Sequence, residues 1–388
     1  MFSRPTSWPA VVYSLRVTIL SISLLMGCGP ALSNNRENLA EKLALIQLPP
    51  GFTIKLYAEG VPDARAMTVG PNGTLFVGSR SKGNVYGIVD TDHDQKADNV
   101  FVIAQNLRAP AGVAMWEQSL YVSAVNKILR FDDIEENLQK PSSPIVVTDR
   151  LPNESHHGWK FIDFGPDGSL YVPVGAPCNV CLRSDPYATI LKMNRNGSNT
   201  EIIARGVRNS VGFAWHPETK ELWFTDNGRD NLGDDSPPGE LNRLHRPGQH
   251  FGFPFCHGAS ISDPKFGHTG SCNDSQAPEQ LLGPHVAPLG ITFYQGDMFP
   301  QEYKNAIFIA EHGSWNRSKK LGYRITLVQL DHLGKAKSYV VFAEGWLQDQ
   351  RAWGRPADVL VLHDGSLLIS DDKAGAIYRI AYVGPQPN

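Results

Sequence analysis

Short apolar runs return along the chain behind turns rich in Gly, Pro, Asp or Asn, and each run hands over to a polar residue. The copies are GPNGTLFVGS (70–79), EQSLYVSA (117–124), GPDGSLYVPVG (165–175), HPETKELWFTDN (216–227), FPQEYKNAIFIAE (299–311) and HDGSLLISDD (363–372). Their first strand residues, Leu75, Leu120, Leu170, Leu222, Ile307 and Leu367, stand 45, 50, 52, 85 and 60 residues apart. A four-stranded blade takes about 40 to 50 residues, so the spacing predicts an all-β, six-bladed β-propeller over 51–383. The one long interval predicts an insertion at about 229–290. An open sandwich would not repeat one turn-and-strand signature in this way. No stretch after residue 50 keeps helical periodicity for more than three turns.

Before the repeats the pattern changes. Two arginines precede the apolar run Val17 to Gly27, which is too short to span a membrane and reads as a secretory signal over 1–27. Leu25-Met26-Gly27-Cys28 resembles a bacterial lipoprotein cleavage box, which would put a lipid on Cys28 and anchor the exported chain to a membrane. Cleavage elsewhere by plain secretion is the other reading. Residues 28–50 are polar, end in Pro49-Pro50 and read as a tether with a short helix, while 384–388 form a C-terminal tail.

Composition agrees with the strand reading. The chain has 36 glycines, 28 prolines and 41% hydrophobic residues, as a turn-rich β protein with a large core should. Removing 1–27 takes Arg4 and Arg16 with it, so the formal charge moves from −3 to −5. That balance points away from nucleic acid. Beyond Cys28 the cysteines are Cys178, Cys181, Cys256 and Cys272. The even number suits disulfides in an exported protein, and proximity pairs Cys178 with Cys181 and Cys256 with Cys272. No second CxxC or HxxxH completes a zinc set around Cys178-Asn-Val-Cys181, and no histidine follows it for haem.

In a propeller the loops at one channel mouth make the site, so functional residues should flank the repeated strands. His156 and His157 precede the third copy, where an imidazole can take a proton from a bound hydroxyl. A solvated or core histidine is the competing reading. Arg208 and Asn209 precede the fourth blade and suit a ligand with carboxylates and carbonyls. The segment FTDNGRDNLGDDSPPGELN is dense in oxygen ligands, with Gly228 for a tight turn and Asp234, Asp235 and Glu240 beyond it, which suits calcium. Asp90, Asp92, Asp94 and Asp98 in DTDHDQKAD have calcium-loop spacing but lack the turn glycine and terminal acid of an EF-hand; a solvated hairpin tip is the other reading. His285, His312 and Arg355 flank strands of further blades.

The strings GAPCNVC, GVRNSVGFAWHP, LWFTDNGRDNLGDDSPPGELN, HVAPLGITFY, EHGSWNRS and WGRPADVLVLHDGSLLISDD resemble the glucose and sorbosone dehydrogenase family of soluble quinoproteins. The likeness runs through nearly all of 48–383 and is nearer to the sorbosone branch. It implies a propeller holding pyrroloquinoline quinone (PQQ) and calcium at the channel mouth, a sugar-like alcohol or aldehyde as substrate, and an external electron acceptor. By the same resemblance His157 is the base; Arg208, Asn209, His285, His312 and Arg355 contact the cofactor; and Gly228 and Arg229 offer backbone carbonyls to calcium. The lysine contact of the glucose branch has no counterpart, and EHGSWNRS offers His312, Asn316 or Arg317 in its place. A calcium-dependent lactonase and a lipid-anchored, non-catalytic binding propeller are the alternatives.

Overall fold

The computed structural model describes Met1 and residues 39–384. The signal, Cys28, most of the tether and the last residues of the tail lie outside them. The chain from Ala40 forms one compact unit built from six antiparallel four-stranded blades, one of which gains a fifth strand. From the inside outward, blade 1 holds Ala64–Val69, Leu75–Ser79, Val85–Val89 and Asn99–Ala104. Blades 2 to 5 follow with inner strands Val113–Trp116, Asp163–Phe164, Phe213–Trp215 and Pro288–Phe293. Blade 6 uses Pro356–Val361, Leu367–Asp371 and Ala376–Tyr382, and takes Phe52–Glu59 as its outer strand. This antiparallel pairing, with Phe52 opposite Tyr382, ties the start of the propeller to its end and closes the ring.

The repeated runs of the sequence are the second strands of the six blades. Each blade packs both faces against neighbours, so Leu75–Ser79, Leu170–Val174, Leu222–Asp226, Ile307–Glu311 and Leu367–Asp371 are buried at every position. A strand covered on both faces reads as a continuous apolar run instead of an alternation, and this made the signature visible. The apolar clusters lie between consecutive blades: Leu75, Val77 and Ile88 of blade 1 pack with Leu368 and Ile377 of blade 6. Phe76 and Val85, on the other face of blade 1, meet Val113, Leu120 and Val122 of blade 2.

The long interval has a simple origin. In blade 4 the third strand, Pro238–Leu244, is separated from the outer strand, Gln280–Pro284, by residues 245–279. Within this excursion Gln249–His250 adds a parallel strand to blade 3, and Cys256 is joined to Cys272. Cys178 is joined to Cys181. Both pairings expected from the sequence are present.

Along the axis each blade contributes one apolar residue to a collar: Ala66, Ala111, Phe161, Val211, Leu289 and Ala357. The space left between them is about 10 Å³, room for about one water. The central channel is therefore narrowed here by the apolar collar, with Arg65 and Asp358 bordering the same gap.

Candidate functional site

Because the first two strands of each blade are antiparallel, the residues just before the inner strand and just after the second strand lie at the same blade end. His157, Arg208 with Asn209, His285 and Arg355 precede inner strands. Arg80, Asn227 with Gly228, His312 and Asp372 follow second strands, and Arg65 lies in the inner strand of blade 1. His157, Arg208, Asn209, Gly228, His285, His312 and Arg355 come together around one cavity of about 620 Å³, although their positions span 198 residues. That volume lies within the usual range for small-molecule and cofactor sites.

His157 sits on the loop ahead of blade 3 with a positive φ of 50°. Its Nδ1 lies 2.8 Å from the carbonyl oxygen of Ala176. A carbonyl only accepts, so Nδ1 carries the proton and Nε2 is the basic nitrogen. The loop passes so close to Gly175 that a Cβ there would sit 2.7 Å from the His157 Cβ, so the glycine is needed for the approach. Burial, then the Arg208 guanidinium and His156, push the His157 imidazole down to about 2, so the ring is neutral and its Nε2 carries no proton. The more exposed His156 ring has its centroid 4.2 Å from that of His157.

Arg208 is buried. Nε donates to the Asn179 carbonyl at 2.8 Å, Nη1 to the Asn227 carbonyl at 3.0 Å, and Nη2 to Asn179 Oδ1 at 3.0 Å and Asp230 Oδ2 at 3.3 Å. Its backbone N–H and that of Asn209 both donate to the Asp226 carboxylate, at 2.8 and 2.6 Å. Across the ring, Asp372 gathers three basic groups: Arg65 Nη2 at 2.6 Å, His312 Nε2 at 2.9 Å and Arg355 Nε at 2.9 Å. Burial works against the Asp372 charge, but His312, Arg65 and Arg355 outweigh it and hold the carboxyl well below the usual carboxylate range. His312 itself is pushed down to about 4, chiefly by burial, so it is a neutral donor to a carboxylate already satisfied by two arginines.

Arg80 stacks over Trp159, its guanidinium carbon 3.8 Å from the ring centroid. Four guanidiniums therefore line this cavity against one lining carboxylate, Asp230, while Asp372 sits behind Arg65 and Arg355. Three lining residues also hold a buried polar atom without a hydrogen-bond partner among the described residues: Arg65 Nε, Trp159 Nε1 and Asn316 Oδ1. The guanidiniums and the two unsatisfied N–H donors suit an anion, while Asn316 Oδ1 can accept from a donor on the same ligand.

The calcium candidates divide. Gly228 lines the cavity, and a Cβ on it would meet the Pro238 carbonyl oxygen at 2.8 Å, so the turn admits only glycine without a shift. The Arg229 side chain turns away and pairs with Asp263 at 2.5 Å. Asp234 and Asp235 are not among the lining residues: Asp234 accepts from the Ser318 N–H at 3.0 Å, and the exposed Asp235 pairs with Arg317 at 3.1 Å. Glu240 is buried opposite Asp226 in the adjacent strand; burial and then Asp226 push it up to about 8. In blade 1, the carboxylates of Asp90, Asp92 and Asp98 lie within 4.8 Å of one another on the hairpin before the outer strand.

Arg65, Arg80, Trp159, Asn179 and Asp372 escaped the sequence reading. Arg80 and Asp372 obey the rule that site residues follow repeated strands, and that rule applied uniformly would have found them. Arg65 is the one charge in the inner strand ARAMTV. Of the replacements offered for the missing lysine, His312 and Asn316 line the cavity while Arg317 is turned to Asp234 and Asp235.

Among solved structures, a calcium structure of Trichoderma reesei carbohydrate-active enzyme family AA12 superposes with a TM-score of 0.74 at 19% identity, covering 87% of this chain and 97% of that one. The PQQ domain of Coprinopsis cinerea pyranose dehydrogenase, in its holo form, gives 0.73 at 18% identity over the same shares. At such identities the likeness concerns the fold. An uncharacterised Borreliella burgdorferi protein is 36% identical over 356 residues, 88% of this chain and 92% of that one. The TrAA12-like family model matches residues 46–383, and the chain belongs to that family.

Proposed function

We propose that the protein is a quinone-dependent oxidoreductase that takes up PQQ with calcium and oxidises a sugar-like alcohol or aldehyde, a sorbosone-type compound among the candidates. The observation that carries this reading is the convergence of Arg65, Arg80, Arg208 and Arg355 on one cavity beside a neutral His157 whose Nδ1–H is held by the Ala176 carbonyl, leaving Nε2 unprotonated. PQQ bears three carboxylates, and a cluster of guanidiniums with unsatisfied polar atoms fits such an anion. When bound, the quinone supplies the two-electron acceptor for the hydride that leaves the substrate carbon.

The chain's own residues do the remainder. His157 Nε2 takes the hydroxyl proton while Ala176 holds Nδ1–H in place. The arginines orient the anion and stabilise the negative charge that grows as it is reduced. The collar narrows the axis to a gap of about 10 Å³, too small for substrate or an electron acceptor to pass. Gly228 and Arg229 are the calcium candidates, through backbone carbonyls. Asp234, Asp235 and Glu240 are left out of that set because their carboxylates have partners elsewhere. Two disulfides support an oxidising, extracytoplasmic compartment, and a lipid on Cys28 would fix the protein to a membrane there.

The test is titration of the purified mature domain with PQQ, with and without calcium. Stoichiometric uptake that EDTA abolishes and calcium restores supports the reading. Absence of uptake under both conditions leaves the binding propeller in its place.

A further inference from the structure

Asn179 lies between Cys178 and Cys181, in a four-residue ring that the disulfide closes. The ring is outside the catalytic assignments, yet its hydrogen bonds reach the centre of the site. The Asn179 carbonyl and Oδ1 accept from Nε and Nη2 of Arg208, at 2.8 and 3.0 Å. The same Oδ1 accepts from the Asp230 N–H at 2.7 Å, and Asn179 Nδ2 donates to the Asp230 carbonyl at 3.1 Å. Asp230 is in turn the carboxylate partner of Arg208. One asparagine therefore holds both members of the pair between buried Arg208 and half-buried Asp230, which come from loops on either side of the first two strands of blade 4.

We propose that Asn179, held in the Cys178–Cys181 ring, is a positioning residue that sets the Arg208 guanidinium for a carboxylate-bearing ligand. This rests on the reading of the cavity as a quinone site. The physical ground is preorganisation. Asn179 takes two of the five guanidinium N–H groups, the Asn227 carbonyl a third and Asp230 a fourth, so the plane of the group is fixed before any ligand arrives. A short covalent ring keeps the Asn179 backbone from sampling other conformations, so binding does not have to order it. The two Asn179 contacts, at 2.8 and 3.0 Å, are shorter than the 3.3 Å pair with Asp230.

The test compares wild type with Asn179→Ala and with Cys178→Ser/Cys181→Ser, each checked for folding by its melting transition. In protein labelled with ¹⁵N-arginine, the Arg208 Nε–H resonance of the ligand-free wild type should exchange slowly with solvent. Both variants should speed that exchange about tenfold or more and weaken PQQ binding about tenfold. An unchanged Arg208 resonance in both variants overturns the proposal, as does faster exchange with PQQ affinity within twofold of wild type. If wild type takes up no PQQ, the functional reading falls, and the exchange measurement alone decides the positioning role: faster exchange in the variants supports it and unchanged exchange overturns it.

Discussion

His157 Nδ1 is fastened to the carbonyl oxygen of Ala176 at 2.8 Å, so the basic nitrogen of the ring is Nε2. A base that takes a proton from substrate matters to turnover and little to cofactor affinity. His157→Ala is expected to lower kcat by a factor of about 10² to 10⁴, the usual worth of a positioned general base, while leaving the Kd for PQQ within a few-fold of wild type. Dye-linked turnover together with quinone titration checks both halves.

Asp372 holds Arg65, His312 and Arg355 from three separate elements, and its side chain is fully buried. Asp372→Asn keeps the shape and removes the charge, leaving two guanidiniums close together without their counter-ion. A loss of about 3 kcal/mol of stability is expected, as for other broken buried pairs. Denaturant unfolding measures it, and PQQ should recover part of the loss by supplying negative charge.

His312 has a folded pKa of about 4 against an ordinary value of 6.5, with burial as the main cause. The unfolded chain takes up a proton that the native state refuses, so this contribution is complete above pH 6.5 and is lost as pH falls towards 4. Its size is up to about 3 kcal/mol. His312→Gln should flatten the stability profile across that window relative to wild type, as read from urea midpoints at a series of pH values.

Asp358 shows the opposite sign. It is buried in the inner strand of blade 6, accepts from the Met67 N–H at 2.8 Å, and is raised by burial to about 7. The native state keeps a proton that the unfolded chain releases, so its contribution is present below about pH 3.8 and is lost as pH rises through about 7. For Asp358→Asn, which carries no titration, stability measured against wild type should improve by about 4 kcal/mol between pH 4 and pH 8.

The second strands announced the fold because burial on both faces leaves an unbroken apolar run after a turn signature. The inner strands were hidden for the reverse reason: Asp163–Phe164 and Phe213–Trp215 are too short to show any period. At the site, His157, Arg208, Asn209, Gly228, His285, His312 and Arg355 were legible by their places beside strands and by family likeness, and the fold brings them together. Arg65 and Arg80 were not, since an arginine in a sequence carries no sign of which way it faces. The oxygen-rich loop was ambiguous for the same reason. Its composition is right for a cation, while Asp234 accepts from the Ser318 N–H, Asp235 pairs with Arg317, and Asp226 accepts from the backbone N–H groups of Arg208 and Asn209.

The central claim is most directly tested by adding sugars to protein loaded with PQQ and calcium, without any electron acceptor, and following the absorbance of the bound quinone. The account predicts that an oxidisable sugar or sugar aldehyde converts the quinone spectrum to that of its reduced form in a single turnover, and that His157→Ala slows this conversion by a factor of about 10² or more. A quinone that binds stoichiometrically but keeps its oxidised spectrum with every member of a broad panel of aldoses, ketoses and sugar aldehydes would contradict it.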